Sequence, residues 1–472
     1  MQAIRRIAVL AIALVILASV GTGVPAQQAD SAFEQLATLI SQKMTEYSVP
    51  GVAFGMVKGG RTTVRGFGVT NVDDPLPIAP DTIFPVASIS KTVTATAIMR
   101  LVEQGKLDLD APVQKYLPGF RVRDDRASRE VAIWHLLTHT PGWEGQLNSQ
   151  DRGTETLAFF ADGMKDLPQL AAPGEVWSYN NAGFTLAGRV IEQVTGQTIH
   201  DALRTLVFEP IGLTRTFTRL ESIATYRFSV AHSGQSPSVT VVRPLARTSG
   251  VTAGGVSMSL SDLLAYARFH LGDGTGAGGK AVLSRASLDL MRTARVKKAA
   301  TEDEMGIGWH LRRVGGVTTA AHGGTLGHCL LVELVPARNL AFAILTNHTG
   351  GWRLIQDVER AALKVVEGLA LDPAQAIGHR GVNETMPDAP LMAKQPDPTP
   401  YLGTYRRPPV GQFVVRAEGG NVMLDNASIA FYAPDRAVVT SGNSRGNPVE
   451  FIRRADGSIG WVRVVGRIAR KD

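Results

Sequence analysis

A chain of 472 residues, 44% hydrophobic and 19% charged, has the composition of a globular protein large enough for more than one domain, not of a disordered segment. Its net charge of +7 comes from scattered lysines and arginines with no basic run interleaved with aromatics, so no nucleic-acid partner is expected. The single cysteine, Cys329, has no internal disulfide partner, and within His328-Cys329-Leu330-Leu331-Val332 it reads as a buried thiol entering a strand rather than a catalytic one.

Residues 1–26 combine Arg5 and Arg6, an apolar run from Ile7 to Val20, and small residues at Val24 and Ala26. This is the build of a secretory signal peptide cleaved after Ala26, and the expectation is a secreted or periplasmic protein. The apolar run is shorter than the ~20 residues that span a bilayer, and no cysteine follows it to carry a lipid, so no stable membrane anchor is expected after signal removal.

Next comes a helical pattern (Phe33, Leu36, Leu39, Ile40), then two short strands around Lys58-Gly59-Gly60, a hairpin signal. A helix is predicted from about Ser88 to Gln104, with Val93, Ala97, Ile98, Leu101 and Val102 on one face and Gly105 as its stop. The middle third is mostly helical, and Ser259 with Asp262 gives a capping-box pattern. Strands return in "GIGWHLRRVGG", "VTTAAHGG", "CLLVELVP" and "LAFAILTN". Strands, helices and strands again imply an α+β domain over residues 30–370, its sheet closed by C-terminal strands. Residues 371–399, rich in Pro, Asp, Ala and Gln, read as a linker, and 400–472 as a small all-β domain that either caps the cleft or binds a partner.

Three stretches carry chemistry. In "FPVASISKTVTA", Ser88 and Lys91 lie one helical turn apart on one face, whereas Ser90 points elsewhere. A serine nucleophile needs a base in reach, an oxyanion site and exposure to substrate, and Ser88 at a helix start also offers its own unpaired N–H. Lys91 serves as base only where burial or nearby positive charge keeps it neutral part of the time; otherwise the stretch is a polar helix start. In "WSYNNAGF", Tyr179 is a phenol for proton transfer and Asn181 an amide that orients a substrate carbonyl; the plainer alternatives are a core edge and a helix cap. In "AAHGGTLGH", His322 ends an apparent strand, Gly323 and Gly324 permit close backbone approach, and Thr325 offers a second oxyanion N–H; the alternative is a glycine turn.

Ser88-x-x-Lys91, Tyr179-x-Asn181 and His322-x-Gly324, in this order, resemble the three motifs of the serine β-lactamase-like hydrolases: class C β-lactamases, DD-peptidases, D-aminopeptidases and related esterases. The stretches "GVAFGMVKGG", "IWHLLTHTPGW" and "PGEVWSYNNAGF" add to the similarity, and the C-terminal segment resembles an appended lipocalin-like β-barrel. The resemblance implies an antiparallel sheet with a helical region and a serine hydrolase needing no metal or organic cofactor. It implies Ser88 as acylated nucleophile, Lys91 as its proton partner, Tyr179 as general base and leaving-group acid, Asn181 with His322 and Gly324 as substrate-binding residues, and the Ser88 and Thr325 N–H groups as oxyanion hole. The partner is then a small-molecule or peptide substrate; oligomeric state is left open. Where relatives carry Lys-Thr-Gly, this chain has His322-Gly323-Gly324, and a neutral histidine is poorly suited to a substrate carboxylate. Esters or amides lacking that carboxylate are therefore favoured over β-lactams.

Rival readings are weaker. Gly442-x-Ser444-x-Gly446 lacks a following helix and any later histidine, which argues against an α/β-hydrolase elbow. His135 and His139, four apart, have metal-ligand spacing but no intervening Glu. A fold-retaining, non-catalytic binder of peptidoglycan fragments has no need of the Ser-Lys-Tyr set.

Overall fold

In the computed structural model, residues 23–146, 152–243, 250–298, 303–371 and 390–472 are described. The proposed signal segment therefore lies largely outside the described residues, as does most of the 371–399 linker. Among the described residues no helix is long and apolar enough to cross a membrane.

Strands β1 (Gly51–Lys58) and β2 (Arg61–Gly68) form the expected hairpin, with Gly59 (φ 57°) and Gly60 (φ 84°) in the left-handed turn that such a two-residue connection requires. The remaining strands of the main sheet come late: β3 (Val296–Lys297), β4 (Glu304–Met305), β5 (His310–Val314), β6 (Val317–Thr325), β7 (Cys329–Val335) and β8 (Leu340–Thr346). Together they make one antiparallel sheet of order β2-β1-β8-β7-β6-β5-β4-β3, closed as expected by the C-terminal strand, with Val52 opposite Thr346.

The central strands are apolar on both faces because both are covered. Val52, Phe54, Met56, Leu331 and Ile344 pack on helices α1 (Gly23–Tyr47) and α5 (Trp352–Glu367), while Ala53, Val57, Leu330, Val332 and Ala343 face the helical region. The two-residue period of a strand decides which side chain goes where. The helical region holds α2 (Ser90–Glu103), α3 (Asn181–Thr195) and α4 (Leu260–Leu271), whose first turn is capped by Ser259 accepting from the Asp262 N–H at 3.1 Å. Cys329 is fully buried, and burial pushes its thiol up to about 12, which leaves it an inert packing group.

The C-terminal unit is a closed antiparallel barrel of β9 (Gly403–Arg407), β10 (Gly411–Glu418), β11 (Asn421–Leu424), β12 (Ala427–Ala433), β13 (Arg436–Val439), β14 (Pro448–Arg453), β15 (Ile459–Val464) and β16 (Arg467–Lys471). Tyr405, Phe431, Phe451 and Val462 fill its interior. The Gly442–Gly446 segment is the loop between β13 and β14, with no helix after it.

Buried histidines tie this fold to pH. Burial pulls His270 and His322 down to about 3, and His135 and His328 to about 4. Each stays neutral in the native state and takes up a proton on unfolding below its ordinary value near 6.5, so the stability it contributes is complete above that pH and is lost towards 3–4. Each group costs up to about 1.4 kcal/mol per pH unit in that window. Thermal melts from pH 8 to 4 are expected to show a steep fall in midpoint below pH 6.5; a flat profile down to pH 4 contradicts it.

Candidate active site

Ser88 does not start α2. It sits in a 3-10 turn, Ala87–Ile89, and α2 begins at Ser90. Ala87 has φ 47°, an unfavourable value for a residue with a Cβ, and this bend presents Ser88, partly exposed, at the surface of the cleft. Ser90 is fully buried, donates to the Ala87 carbonyl at 2.6 Å and accepts from the Val256 N–H at 3.0 Å. The two hydroxyls thus divide as expected: one faces the cleft and the other holds the turn.

Lys91 is fully buried, with Nζ 3.2 Å from Ser88 Oγ and 2.5 Å from the Ala253 carbonyl. Its Nζ stands 4.9 Å from the centroid of the Tyr179 ring and 5.7 Å from that of Phe184. Burial, aided by the positive charge of Arg467, holds Lys91 well below the usual lysine value. Tyr179 is 2% exposed, and burial pushes its phenol up to about 12 despite the opposing pull of a hydrogen bond with Ser88 and of Arg467. Burial thus shifts the two groups in opposite directions, the amine down and the phenol up, each favouring its neutral form.

Asn180 caps α3, its Oδ1 accepting from the Gly183 N–H at 2.7 Å, which frees Asn181, the first residue of the helix, to reach Gln146 Oε1 at 3.4 Å. The strand does not end at His322: His322, Gly323 and Gly324 lie within β6, and the turn, the alternative reading for these glycines, follows at Leu326–His328. The glycine is required by a close approach: a Cβ at Gly324 would stand 2.4 Å from the Val86 carbonyl and 3.2 Å from Ala87 Cβ. This contact lays the Thr325 end of β6 beside the Ser88 turn. The Thr325 hydroxyl is held by the Trp352 indole N–H at 2.8 Å.

His322 donates from Nδ1 to the Gly323 carbonyl at 2.7 Å and stays neutral through burial. His135 and His139 do not face each other from one helix: His135 Nδ1 accepts from the Ala132 N–H, while His139, at φ 62°, lies beyond the helix Ile133–Leu137. His139 instead gathers with His310 and His322 behind Tyr179, its ring centroid 4.4 Å from that of the tyrosine. Its Nδ1 lies 2.9 Å from the Asn180 N–H and 3.3 Å from the Asn180 carbonyl.

The barrel docks on this site, a feature the sequence left open. The Tyr179 N–H donates to the Gly466 carbonyl at 2.8 Å, the Ile468 N–H to Ser178 Oγ at 3.2 Å, Arg463 to the Trp177 carbonyl at 3.1 Å and the Trp461 indole to the Leu170 carbonyl at 2.9 Å. Leu170, Ala171 and Val176 pack on Ile452, Trp461 and Ile468. Arg467, beside the β15–β16 turn, reaches Gln146 Oε1 at 2.7 Å and stands 5.5 Å from the Tyr179 ring centroid. Sequence reasoning missed Arg467 and Gln146; neither belongs to a motif, and no local signal ties one to the other.

Comparison with known proteins agrees with this geometry. The Beta-lactamase family model matches residues 36–366. Penicillin-binding protein 4 of Amycolatopsis lactamdurans is 32% identical over 372 residues, covering 77% of this chain and 94% of that protein. Esterase EstB of Burkholderia gladioli is 30% identical over 362 residues, covering 66% and 90%. Among solved structures, SurE superposes with a TM-score of 0.76 at 23% identity over 94% of this chain and all of its own, and a class C β-lactamase with 0.62 at 20% over 72% and 97%, likenesses of fold. The motif geometry and the match over most of the chain lead to one conclusion: this protein belongs to the β-lactamase family.

Proposed function

We propose that this protein is a serine hydrolase working through an acyl-enzyme on Ser88, and the observation that carries the reading is the buried Lys91 amine, 3.2 Å from the Ser88 hydroxyl and without a carboxylate partner among the described residues. Lys91 takes the Ser88 proton as Oγ attacks the carbonyl carbon. The Ser88 and Thr325 N–H groups stabilise the oxyanion, with Asn181 orienting the acyl group and His322 and Gly324 lining the β6 side. The Tyr179 phenol donates its proton to the leaving atom and recovers one from the Lys91 ammonium. Water then hydrolyses the ester on Ser88. Esters and amides, including D-amino-acid peptides, are the substrate classes that fit. The relatives named a penicillin-binding protein and an esterase support the same range. The basic, apolar and small-residue order of residues 1–26 supports export, which fractionation of cells making the full chain would test.

Labelling with a fluorophosphonate, followed by peptide mapping, tests the reading: an adduct on Ser88 is expected, and a folded protein without one refutes it. A panel of p-nitrophenyl esters, nitrocefin and D-amino-acid p-nitroanilides then ranks the substrate classes by kcat/KM. Tyr179→Phe is expected to lower kcat on anilides by roughly 10²–10⁴. Its effect on p-nitrophenyl esters is smaller, because nitrophenolate leaves without a proton. Equal losses on both would place Tyr179 outside leaving-group protonation.

A further inference from the structure

We infer that Arg467, delivered by the C-terminal barrel, is the carboxylate-recognition group of this active site, taking the place of the missing lysine of the third motif. The inference rests on the serine-hydrolase reading for which side of the scissile bond the carboxylate occupies.

The position and fixed charge of Arg467 carry the argument. Burial lowers Lys91 well below the ordinary lysine value and His322 to about 3, and the buried Lys298, whose charge His322 feels, stands 4.9 Å from the centroid of the Trp177 ring. A guanidinium remains charged even when half-buried. Arg467 is such a group, and it is brought there by construction. The two-residue turn Val465 (φ 49°) and Gly466 (φ 74°) folds β15 back on β16, pairing Val464 with Arg467, and the Gly466 carbonyl is pinned by the Tyr179 N–H. The hairpin is therefore fixed in register against the residue that protonates the leaving group.

What Arg467 lacks is an anion. Among the described residues no carboxylate lies within ion-pair distance of it. Glu144, whose charge it feels, is paired with Arg407 at 3.1 Å. Its one hydrogen-bond partner is the neutral Gln146 amide, and its Nε–H is buried with no acceptor. Leaving a guanidinium desolvated and half-satisfied costs stability, and a two-oxygen anion is the ligand whose geometry matches its fork. Gln146 Oε1 is shared between Arg467 and Asn181, which links this group to the amide that orients the acyl chain. Because Arg467 stands across Tyr179, the carboxylate belongs to the leaving group: a peptide, ester or thioester that releases an amino acid, hydroxy acid or mercapto acid. The earlier expectation drawn from His322, that carboxylate-bearing substrates are disfavoured, is replaced by one in which the cation comes from another domain.

The test compares N-benzoylglycine S-carboxymethyl thioester with its S-carbamoylmethyl analogue, which differ only in the terminal carboxylate and carboxamide. Wild type is expected to favour the carboxylate by about ten- to a hundredfold in kcat/KM, as befits a charge-assisted pair. Arg467→Gln should bring the ratio close to one, and Arg467→Lys should keep part of it. Equal turnover of the two thioesters by wild type, or an unchanged ratio in Arg467→Gln, overturns the proposal. Binding of N-acetylglycine against N-acetylglycinamide by wild type, measured by calorimetry, needs neither turnover nor a folded variant: tighter binding of the acid supports the site, and equal binding overturns it. Loss of the phosphonate adduct with carboxylate binding intact would instead sink the serine-hydrolase reading alone.

Discussion

Ser88→Ala is expected to lose all turnover and all phosphonate labelling, whereas Ser90→Ala keeps the label on Ser88 and most of its activity but melts earlier. The reason lies in what each hydroxyl touches. Ser88 Oγ meets the Lys91 amine and a phenol at an accessible surface, and its removal deletes the nucleophile itself. Ser90 Oγ accepts from the buried Val256 N–H and donates to the Ala87 carbonyl; alanine leaves that N–H without this partner at a cost of about 1–3 kcal/mol, while the carbonyl keeps the Ser90 backbone N–H. Intact-mass spectrometry after labelling, with thermal melts of both variants, reads the two effects separately. Equal loss of labelling from both would mean that Ser90 is part of the chemistry.

Lys91→Met should lower kcat/KM by at least about 10³, since the base and the nucleophile act as one unit. It also carries a thermodynamic signature that a structural lysine would not. The folded pKa of Lys91 is depressed well below the ordinary lysine value, so between the two values the unfolded chain holds a proton that the native amine does not. Wild-type stability therefore rises with pH up to the ordinary lysine value, by as much as about 1.4 kcal/mol per pH unit from this one group. In Lys91→Met that contribution is absent. The stability of wild type relative to the variant should increase steadily from pH 6 to 9 in denaturant titrations. A constant difference would show that Lys91 is protonated in the fold, and an ammonium cannot accept the Ser88 proton.

Much of this protein is legible locally. The Gly59-Gly60 turn, the Ser259 cap and the apolar run of "CLLVELVP" each follow from short-range backbone or burial rules, and the motif Ser88-x-x-Lys91 gained its meaning from Tyr179-x-Asn181 and His322-x-Gly324 downstream. For His322-Gly323-Gly324 the choice between close backbone approach and a turn stayed open because glycine is ambiguous in sequence. It marks a bend or a close contact, and only the position of Val86 and Ala87 shows that the contact prevailed. The metal-ligand spacing of His135 and His139, already the weaker reading in sequence, has no helix to act on, since the helix ends at Leu137.

By itself, then, the sequence determined the residue types able to do acyl transfer, their order, and the division into a sheet-and-helix domain and a small β unit. Only the tertiary structure decided how their proton affinities are shifted. The depression of Lys91 depends on how completely other elements exclude water from it, and Arg467 arrives from a barrel hairpin whose side chain has no local reason to meet Tyr179. Desolvation and the juxtaposition of distant segments are properties of packing, and no window of sequence contains them.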